Sequence, residues 1–208
     1  MTVVNKEAKI LDLCKNKSVL DVGAIGQENN YKNPNWLHAK IKNSAKSIVG
    51  VDIIQDEIDK LKEHDYHFIN WNTLKQLKSK FEVIVMADII EHVGNPQELL
   101  QQYIPFMEDD GIIVITTPNS NRARNFLSIL FFNKYGMNPE HTMWFCPKTM
   151  TELINRTRLQ AYEFFWLSEY NSKSKISFSK YILLKIEKLF AFFRKDFSPA
   201  FMFIVSKK

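Results

Sequence analysis

Cysteine is scarce in this sequence. The 208 residues include two, Cys14 and Cys146, which lie far apart and form no CxxC pair. Zinc sites and disulfide frameworks need several cysteines at short, regular spacings. We therefore predict neither a disulfide framework nor a metal site, and a reducing, cytoplasmic location is the simplest interpretation.

Long apolar segments are also missing. No stretch reaches the roughly 18 uncharged apolar residues that a membrane-spanning helix needs, and the first ten residues, MTVVNKEAKI, lack the apolar run of a signal peptide. We expect neither a membrane-spanning helix nor a signal peptide. Apolar residues make up 45% of the chain and charged residues 25%, which are ordinary globular values. The length suits a single domain, predicted to cover residues 1–208.

Acidic residues are few in the C-terminal segment 171–208. That segment has nine Lys and Arg residues against Glu187 and Asp196, a net charge of +7. The whole chain carries +5, so the other residues together carry −2. The sequence pI of about 9.0 therefore reflects one segment rather than a basic body, and we expect no nucleic-acid partner.

Glycine is rare, with six residues in the chain, yet two of them lie in the most informative segment. Residues 18–26 read SVLDVGAIG, an apolar run that ends at Asp21 and leads into a glycine turn; a second run, SIVGVDI at 47–53, ends at Asp52. Such a turn lets the backbone approach a nucleotide-like ligand, and such an acid accepts hydrogen bonds from a ribose diol. The glycines do not complete a G-x-G-x-x-G pattern. The glycine pattern alone is therefore a weak indication of a dinucleotide ligand, and a nicotinamide enzyme stays equally open.

The first 118 residues alternate between apolar strand patterns and amphipathic helix patterns, which is typical of a doubly wound α/β fold with right-handed crossovers. The predicted strands are 19–23, 47–53, 66–69, 81–89 and 112–117. The predicted helices are 36–45, 55–63 and 96–107, the last with Asn95 as N-cap and Pro96 at its first position. Beyond residue 118 we predict helices at 122–132, 148–158 and 178–194 and strands at 161–167 and 200–205.

Five segments in this order resemble the class I S-adenosylmethionine-dependent methyltransferases, in particular the type 11 and type 23 small-molecule enzymes. They are VLDVGAIG (19–26), IVGVDI (48–53), FEVIVMADIIEHVGNP (81–96), EDDGIIVITTPN (108–119) and HTMWFCPKTMTELI (141–154). The resemblance implies S-adenosylmethionine as cofactor and a Rossmann-like sheet of seven strands in the order 3-2-1-4-5-7-6. The seventh strand, residues 200–205, would be antiparallel. It also implies a cofactor half, 1–118, and an acceptor half, 119–208.

The resemblance further implies roles for individual residues around the cofactor. Asp21 and Gly23 would line its methionine end, with Ala24 and Gly26 in the same turn; Asp52 would bind both ribose hydroxyls; Ile53 would pack on the adenine; Asn70 and Trp71 would lie at the adenine amine; and Asp88 and Ile89 would end the fourth strand beneath the sulfonium. The residues alone leave two alternatives open. Asp52 could cap the following helix, and Asp21 could be a structural acid bonded to backbone amides.

Two histidines are the candidate catalytic residues. His92 follows the fourth strand, and an imidazole with a pKa of about 6.5 suits removal of a proton from a hydroxyl acceptor. Its alternative is a positioning role, in which the Glu91-His92 pair shapes the site. His141 precedes HTMWF, where a cap over the acceptor would lie; its alternative is a hydrogen-bonded loop histidine. We expect Glu91 to be solvated or to cap a helix.

Two apolar helices have few polar positions to face water. Residues 125–132 read NFLSILFF, and residues 178–195 combine Lys and Arg with Ile, Leu and Phe. A basic amphipathic helix with large aromatic residues suits contact with an anionic membrane surface. Packing on the body of the protein or on a second subunit is the alternative, so a peripheral membrane contact and a homodimer both stay open.

The function predicted from these features is O-methylation of a sugar, a lipid-linked glycan or another small metabolite. One alternative is a catalytically inactive scaffold with the methyltransferase fold. It rests on the glycine turn. The three glycine positions of the family's G-x-G-x-G pattern are occupied here by Gly23, Ile25 and Gln27, and the second glycine of the turn is Gly26. The other alternative, RNA methylation, rests on the basic C-terminal segment.

Overall fold

The computed structural model describes residues 2–26, 30–134, 136, 138–168 and 178–208, and its strands form an eight-stranded mixed sheet. The strands are β1 Val3–Val4, β2 Ser18–Val22, β3 Ser47–Val51, β4 Phe68–Ile69, β5 Phe81–Ala87, β6 Met107–Pro118, β7 Leu159–Leu167 and β8 Ala200–Lys207. The helices are α1 Lys6–Cys14, α2 Leu37–Lys42, α3 Gln55–Glu63, α4 Trp71–Gln76, α5 Pro96–Tyr103, α6 Ala123–Phe132, α7 Pro147–Asn155 and α8 Phe178–Phe193.

Helices cover both faces of the sheet, which confirms the predicted α/β class. On one face, Ile10 of α1 and Ile41 of α2 join a buried cluster with Val83 of β5. On the other face, Leu100 of α5 and Met150 of α7 belong to a second cluster. Strands buried on both sides read as continuous apolar runs, which is why the central strands were recognisable in the sequence.

The sheet corrects the predicted number of strands. Its order is β1-β7-β8-β6-β5-β2-β3-β4, so the seven-strand sheet was one strand short. The missing strand, β1, pairs Val3 and Val4 in parallel with Trp166 and Leu167 of β7. Two residues are too few to produce an alternation pattern, and only the edge of the folded sheet makes them a strand. The last strand, β8, is antiparallel to both neighbours, as predicted.

The predicted helix 96–107 is too long. Asn95 caps α5 as predicted, accepting a hydrogen bond from the Glu98 N–H at 3.1 Å, but α5 ends at Tyr103 and is followed by a 3-10 turn over Ile104–Phe106. Pro105 lies in that turn and offers no N–H to continue the helix. Strand β6 then begins at Met107, five residues before the predicted strand, because Met107 pairs with Phe81 of β5.

The helix α8 lies against α6, and a buried ion pair anchors it to the residue that precedes α6. The guanidinium of Arg122 donates to both carboxylate oxygens of Glu187, at 2.7 and 2.9 Å. Glu187 is buried, so this charge depends on its partner. Among the described residues, none of the helices combines the length and the hydropathy needed to cross a bilayer.

We expect Gly50→Ala to destabilise the protein by about 1–3 kcal/mol, because the site has no room for a side chain. A Cβ at Gly50 would lie 2.2 Å from Cε1 of Phe68, whose ring is fully buried. Gly94→Ala is the matched control, since its Cβ would meet nothing within 4 Å. Urea unfolding measures both changes, and equal losses in the two variants would show that the contact with Phe68 is not the cause.

Candidate functional site

The carboxyl ends of β2 and β5 open into a pocket of about 220 Å³. Ligands of open α/β sheets bind at this edge. The predicted cofactor residues that line the pocket are Asp21, Gly23, Ala24, Gly26 and Asp88; it is also lined by Lys6, Val22, Trp36, Leu37, His38 and Ala87. The remaining predicted cofactor residues do not line it: Asp52, Ile53, Asn70, Trp71 and Ile89.

Gly23 makes the turn after β2 possible. Its φ is +66°, in the left-handed region that favours glycine, and its N–H donates to the Val51 carbonyl at 2.8 Å. A Cβ here would lie 2.5 Å from Cδ1 of Ile89. The bare backbone therefore packs against the loop after β5, and Ile89 supports the turn from behind.

Asp52 shapes the loop in which it lies. Its Oδ1 accepts hydrogen bonds from the N–H groups of Ile53 and Ile54, at 2.7 and 3.3 Å, and its Oδ2 accepts one from Ile25 at 3.0 Å. An ionised carboxylate has about four acceptor positions, and these three bonds use three of them; the ribose role of Asp52 stays a prediction. Ile53 itself is 89% exposed.

Asn70 is the N-cap of α4. Its Oδ1 accepts from the N–H and the hydroxyl of Thr73, at 2.9 and 3.0 Å, and its amide donates to Gln55 at 2.9 Å. Both acceptor positions of the oxygen are thus used, and recognition of an adenine amine would require it to leave the cap. Trp71 packs on Tyr103, with ring centroids 5.2 Å apart. The adenine roles of Asn70 and Trp71 stay predictions.

Sequence reasoning missed Lys6, which pairs with Asp88 at the pocket wall. The Lys6 side chain is 8% exposed, and the Asp88 carboxylate also accepts from the Thr116 hydroxyl at 2.9 Å. Asp88 has a φ of +55°, unusual for a residue with a side chain. The helix α1, which carries Lys6, was not predicted, and only the folded chain brings residues 6 and 88 together.

Asp21 bonds to a histidine that the sequence analysis did not single out. Nδ1 of His38 lies 2.9 Å from Oδ2 of Asp21, and both side chains are buried. Among the described residues, Nε2 of His38 has no hydrogen-bond partner. The indole of Trp36 stacks on His38 and donates to the Ala24 carbonyl at 2.9 Å. The segment WLH, residues 36–38 at the start of α2, thus supports the glycine turn.

Glu91 is buried, so the expectation of a solvated or capping acid was wrong. It is 1% exposed, and its Oε2 accepts from the Thr117 hydroxyl at 2.9 Å. Burial, together with the nearby charge of Asp88, raises the pKa of Glu91 to about 7. The N–H groups of Thr142 and Met143 donate to the Glu91 carbonyl, at 2.9 and 3.1 Å, and this loop covers the residue.

The same loop brings the two candidate catalytic histidines together. The rings of His92 and His141 meet edge to face, with centroids 4.7 Å apart and an interplanar angle of 87°. Burial and the neighbouring His92 hold the pKa of His141 below its usual value, which favours the neutral imidazole that can accept a proton. The sequence identified each histidine, while their contact depends on how residues 141–143 pair with the turn at 90–92.

We expect the stability gap between wild type and Glu91→Gln to depend on pH. The Glu91 pKa rises from 4.5 to about 7 on folding, so between these values the folded state holds a proton that the unfolded state has lost. Its contribution to the free energy of unfolding is therefore present below about pH 4.5 and falls by about 3 kcal/mol as the pH rises to 7. Wild type should lose this much relative to Glu91→Gln.

Urea unfolding of both proteins from pH 5 to pH 8, in the presence of a chelator, measures this difference. Glu63→Gln, which replaces an exposed carboxylate, is the matched control. Parallel pH profiles for wild type and Glu91→Gln would contradict the assignment of a raised pKa to Glu91.

Comparison with known proteins agrees with this architecture. The family model described as a methyltransferase domain matches residues 5–163. The ubiquinone biosynthesis O-methyltransferase of Coxiella burnetii is 26% identical over 125 residues, 56% of this chain and 48% of that protein. The protein of the same name from Rickettsia akari is 24% identical over 130 residues, 56% of this chain and 51% of that protein. The chain thus spans about half the length of these curated relatives.

Solved structures share the fold. A SAM-dependent methyltransferase from Archaeoglobus fulgidus superposes with a TM-score of 0.64 at 19% identity, covering 97% of this chain and 90% of that chain. The magnesium protoporphyrin IX methyltransferase of Synechocystis, solved with bound S-adenosylhomocysteine, gives 0.62 at 7% identity and covers 97% and 82%. Because the family model covers more than half of the chain, including the whole pocket edge, the chain belongs to the class I S-adenosylmethionine-dependent methyltransferases.

Proposed function

We propose that the protein transfers the methyl group of S-adenosylmethionine to a hydroxyl of a sugar, a lipid-linked glycan or a similar small acceptor. The observation that carries this proposal is the meeting of His92 and His141 beside the pocket wall formed by Asp88. A hydroxyl must lose its proton when it is methylated, and a neutral imidazole can take it. The relatives named as O-methyltransferases support the same reaction class.

The residues at the pocket suit the proposed position of the cofactor. The methyl group of S-adenosylmethionine is already activated by the positively charged sulfur that carries it. The chain therefore mainly has to bind and orient the reactants. Gly23 gives the turn at the pocket the left-handed backbone conformation that it needs, and the bonds to Asp52 use three of its about four acceptor positions, which leaves one for a ribose hydroxyl. The unpartnered Nε2 of His38 offers a further polar contact next to the turn.

The surface of α6 and α8 supports a lipid-linked acceptor. Phe126, Leu130 and Phe131 of α6 are 60–66% exposed, and Phe192 and Phe193 of α8 are 72% exposed. Lys188 and Arg194 are exposed beside these rings. Apolar burial and attraction to anionic headgroups reinforce each other at a membrane surface, so we propose peripheral binding to anionic lipid. Of the basic residues counted in the sequence, Lys173, Lys175 and the side chain of Lys180 lie outside the described residues.

Methyl transfer can be tested without knowing the acceptor. Wild-type protein and Asp52→Ala are incubated with methyl-labelled S-adenosylmethionine and a cell extract, and the label is then measured in lipid, small-molecule and RNA fractions. The proposal expects label in the lipid or small-molecule fraction with wild type only. Label confined to RNA would favour the alternative acceptor, and no label above the variant in any fraction would favour a non-catalytic scaffold.

Lipid binding has its own test. We expect co-sedimentation with vesicles that contain phosphatidylglycerol, about tenfold less with neutral vesicles, and a comparable loss for Phe192→Ser/Phe193→Ser. Tyr162→Ser, which replaces an exposed aromatic residue on β7, is the matched control. Equal sedimentation of the double variant and wild type would contradict the proposal. A dimer in solution that the double variant abolishes would assign the surface to a second subunit instead.

A further inference from the structure

Three side chains outside the pocket lining converge beside it. Glu91, His92 and His141 each offer a ligand atom, and these atoms all lie within 4.8 Å of one another. Glu91 is buried, while the two histidines are half-buried. Bound transition metals accept this mixture of imidazole nitrogen and carboxylate oxygen.

A second observation points to a missing partner. Oε1 of Glu91 is buried and makes no hydrogen bond within the described part of the chain, although its other oxygen is bonded to Thr117. An unpaired buried carboxylate oxygen is costly. A cation bound between Glu91 and the two imidazoles would satisfy that oxygen.

The backbone holds the three groups in place. The Thr142 hydroxyl donates to the carbonyls of Glu91 and Val93, at 3.2 and 3.1 Å, in addition to the two N–H groups that reach the Glu91 carbonyl. Thr117 orients the Glu91 carboxylate from behind. Ligands that are fixed by such outer contacts bind a metal with less loss of entropy.

We propose that Glu91, His92 and His141 bind one divalent transition-metal ion, of the zinc, cobalt or manganese class, with open positions toward the acceptor. Two imidazoles disfavour magnesium and calcium, which prefer oxygen ligands. Three protein ligands are the usual number for a metal that keeps positions for water or substrate.

The consequence for the reaction rests on the proposed function. An acceptor hydroxyl on an open position would lose its proton to solvent more easily, as metal-bound water does. The resulting oxygen forms its bond to the methyl carbon as the carbon–sulfur bond breaks, and the sulfur keeps the electron pair. With the ion bound, the two histidines would serve as ligands, and solvent rather than an imidazole would accept the proton.

Cobalt(II) absorption tests the site directly. Chelator-treated protein is titrated with CoCl2, and we expect visible bands that saturate at one ion per chain. His141→Ala should weaken binding at least 100-fold, and Thr117→Val, which leaves all three ligands in place, about tenfold. His67→Ala, which replaces an exposed histidine, is the control and should leave binding unchanged. Circular dichroism establishes that each variant is folded.

Titrations that are the same for wild type and His141→Ala, or equally weakened in His67→Ala, would overturn the proposal. Calorimetry with S-adenosylhomocysteine separates this inference from the proposed function. Nucleoside binding without site-specific cobalt binding would overturn the metal site alone. Cobalt binding without nucleoside binding would support the metal site and count against the proposed methyl transfer.

Discussion

Asp52→Ala is expected to weaken binding of S-adenosylhomocysteine about 100-fold, as measured by calorimetry. A hydrogen bond to a charged group contributes about 1.5–3 kcal/mol, and the free acceptor position of Oδ2 offers at least one to the ribose. The same oxygen holds the Ile25 N–H at 3.0 Å, so its removal also loosens the turn that carries Ala24 and Gly26. Both losses weaken binding of the same ligand, so the total loss of binding free energy exceeds that of one hydrogen bond.

Two further variants separate these contributions. Asp52→Asn keeps one acceptor oxygen and is expected to lose about tenfold in affinity, since the neutral amide forms weaker hydrogen bonds. Asp56→Ala removes an exposed carboxylate from the first turn of α3 and should bind like wild type. If Asp52→Ala bound as tightly as Asp56→Ala, Asp52 would be a structural residue of its own loop and no part of the cofactor site.

Arg122→Met is expected to lower the free energy of unfolding by about 3–5 kcal/mol. It leaves the carboxylate of Glu187 in a buried position without the guanidinium that donates to both its oxygens, at 2.7 and 2.9 Å. Uncompensated burial of a charge costs more than the ion pair contributes. Urea unfolding measures the loss, and limited proteolysis should show faster cleavage in α8, which Glu187 anchors to the start of α6.

The double variant Arg122→Met/Glu187→Leu should recover most of this loss, because no buried charge remains. The exposed pair Arg156–Glu152, whose side chains are 64% and 60% exposed, provides the control. Arg156→Met should change stability by less than about 1 kcal/mol. Equal effects of Arg122→Met and Arg156→Met would mean that the buried pair does not hold α8 in place.

Much of the fold was predictable because local sequence and buried position agree. Helix α3 spans Gln55–Glu63 as predicted, since Ile58 and Leu61 mark its buried side. The central strand β5 is apolar apart from Glu82, because helices cover both faces. Elements without such a pattern were missed: β1 has two residues, and the short helix α4 follows directly on β4, where the sequence predicted only residues at the adenine.

The candidate site was predictable residue by residue but not as an arrangement. Asp21, Gly23 and Asp52 follow recognisable strands, whereas Lys6 and His38 reach the pocket from helices whose sequences carry no chemical motif. Glu91 is buried, and residues 142 and 143, far away in the chain, bond to its carbonyl. Long-range contacts of this kind decide the pairing of charges, which the sequence pattern does not record.

The most direct test of the account is a crystal structure with S-adenosylhomocysteine. We predict that a ribose hydroxyl lies within hydrogen-bond distance of the Asp52 carboxylate and that the amino-acid end lies beside Gly23 in the pocket after β2 and β5. A nucleoside bound elsewhere on the chain, or one that leaves this pocket empty, would contradict the assignment of the cofactor site.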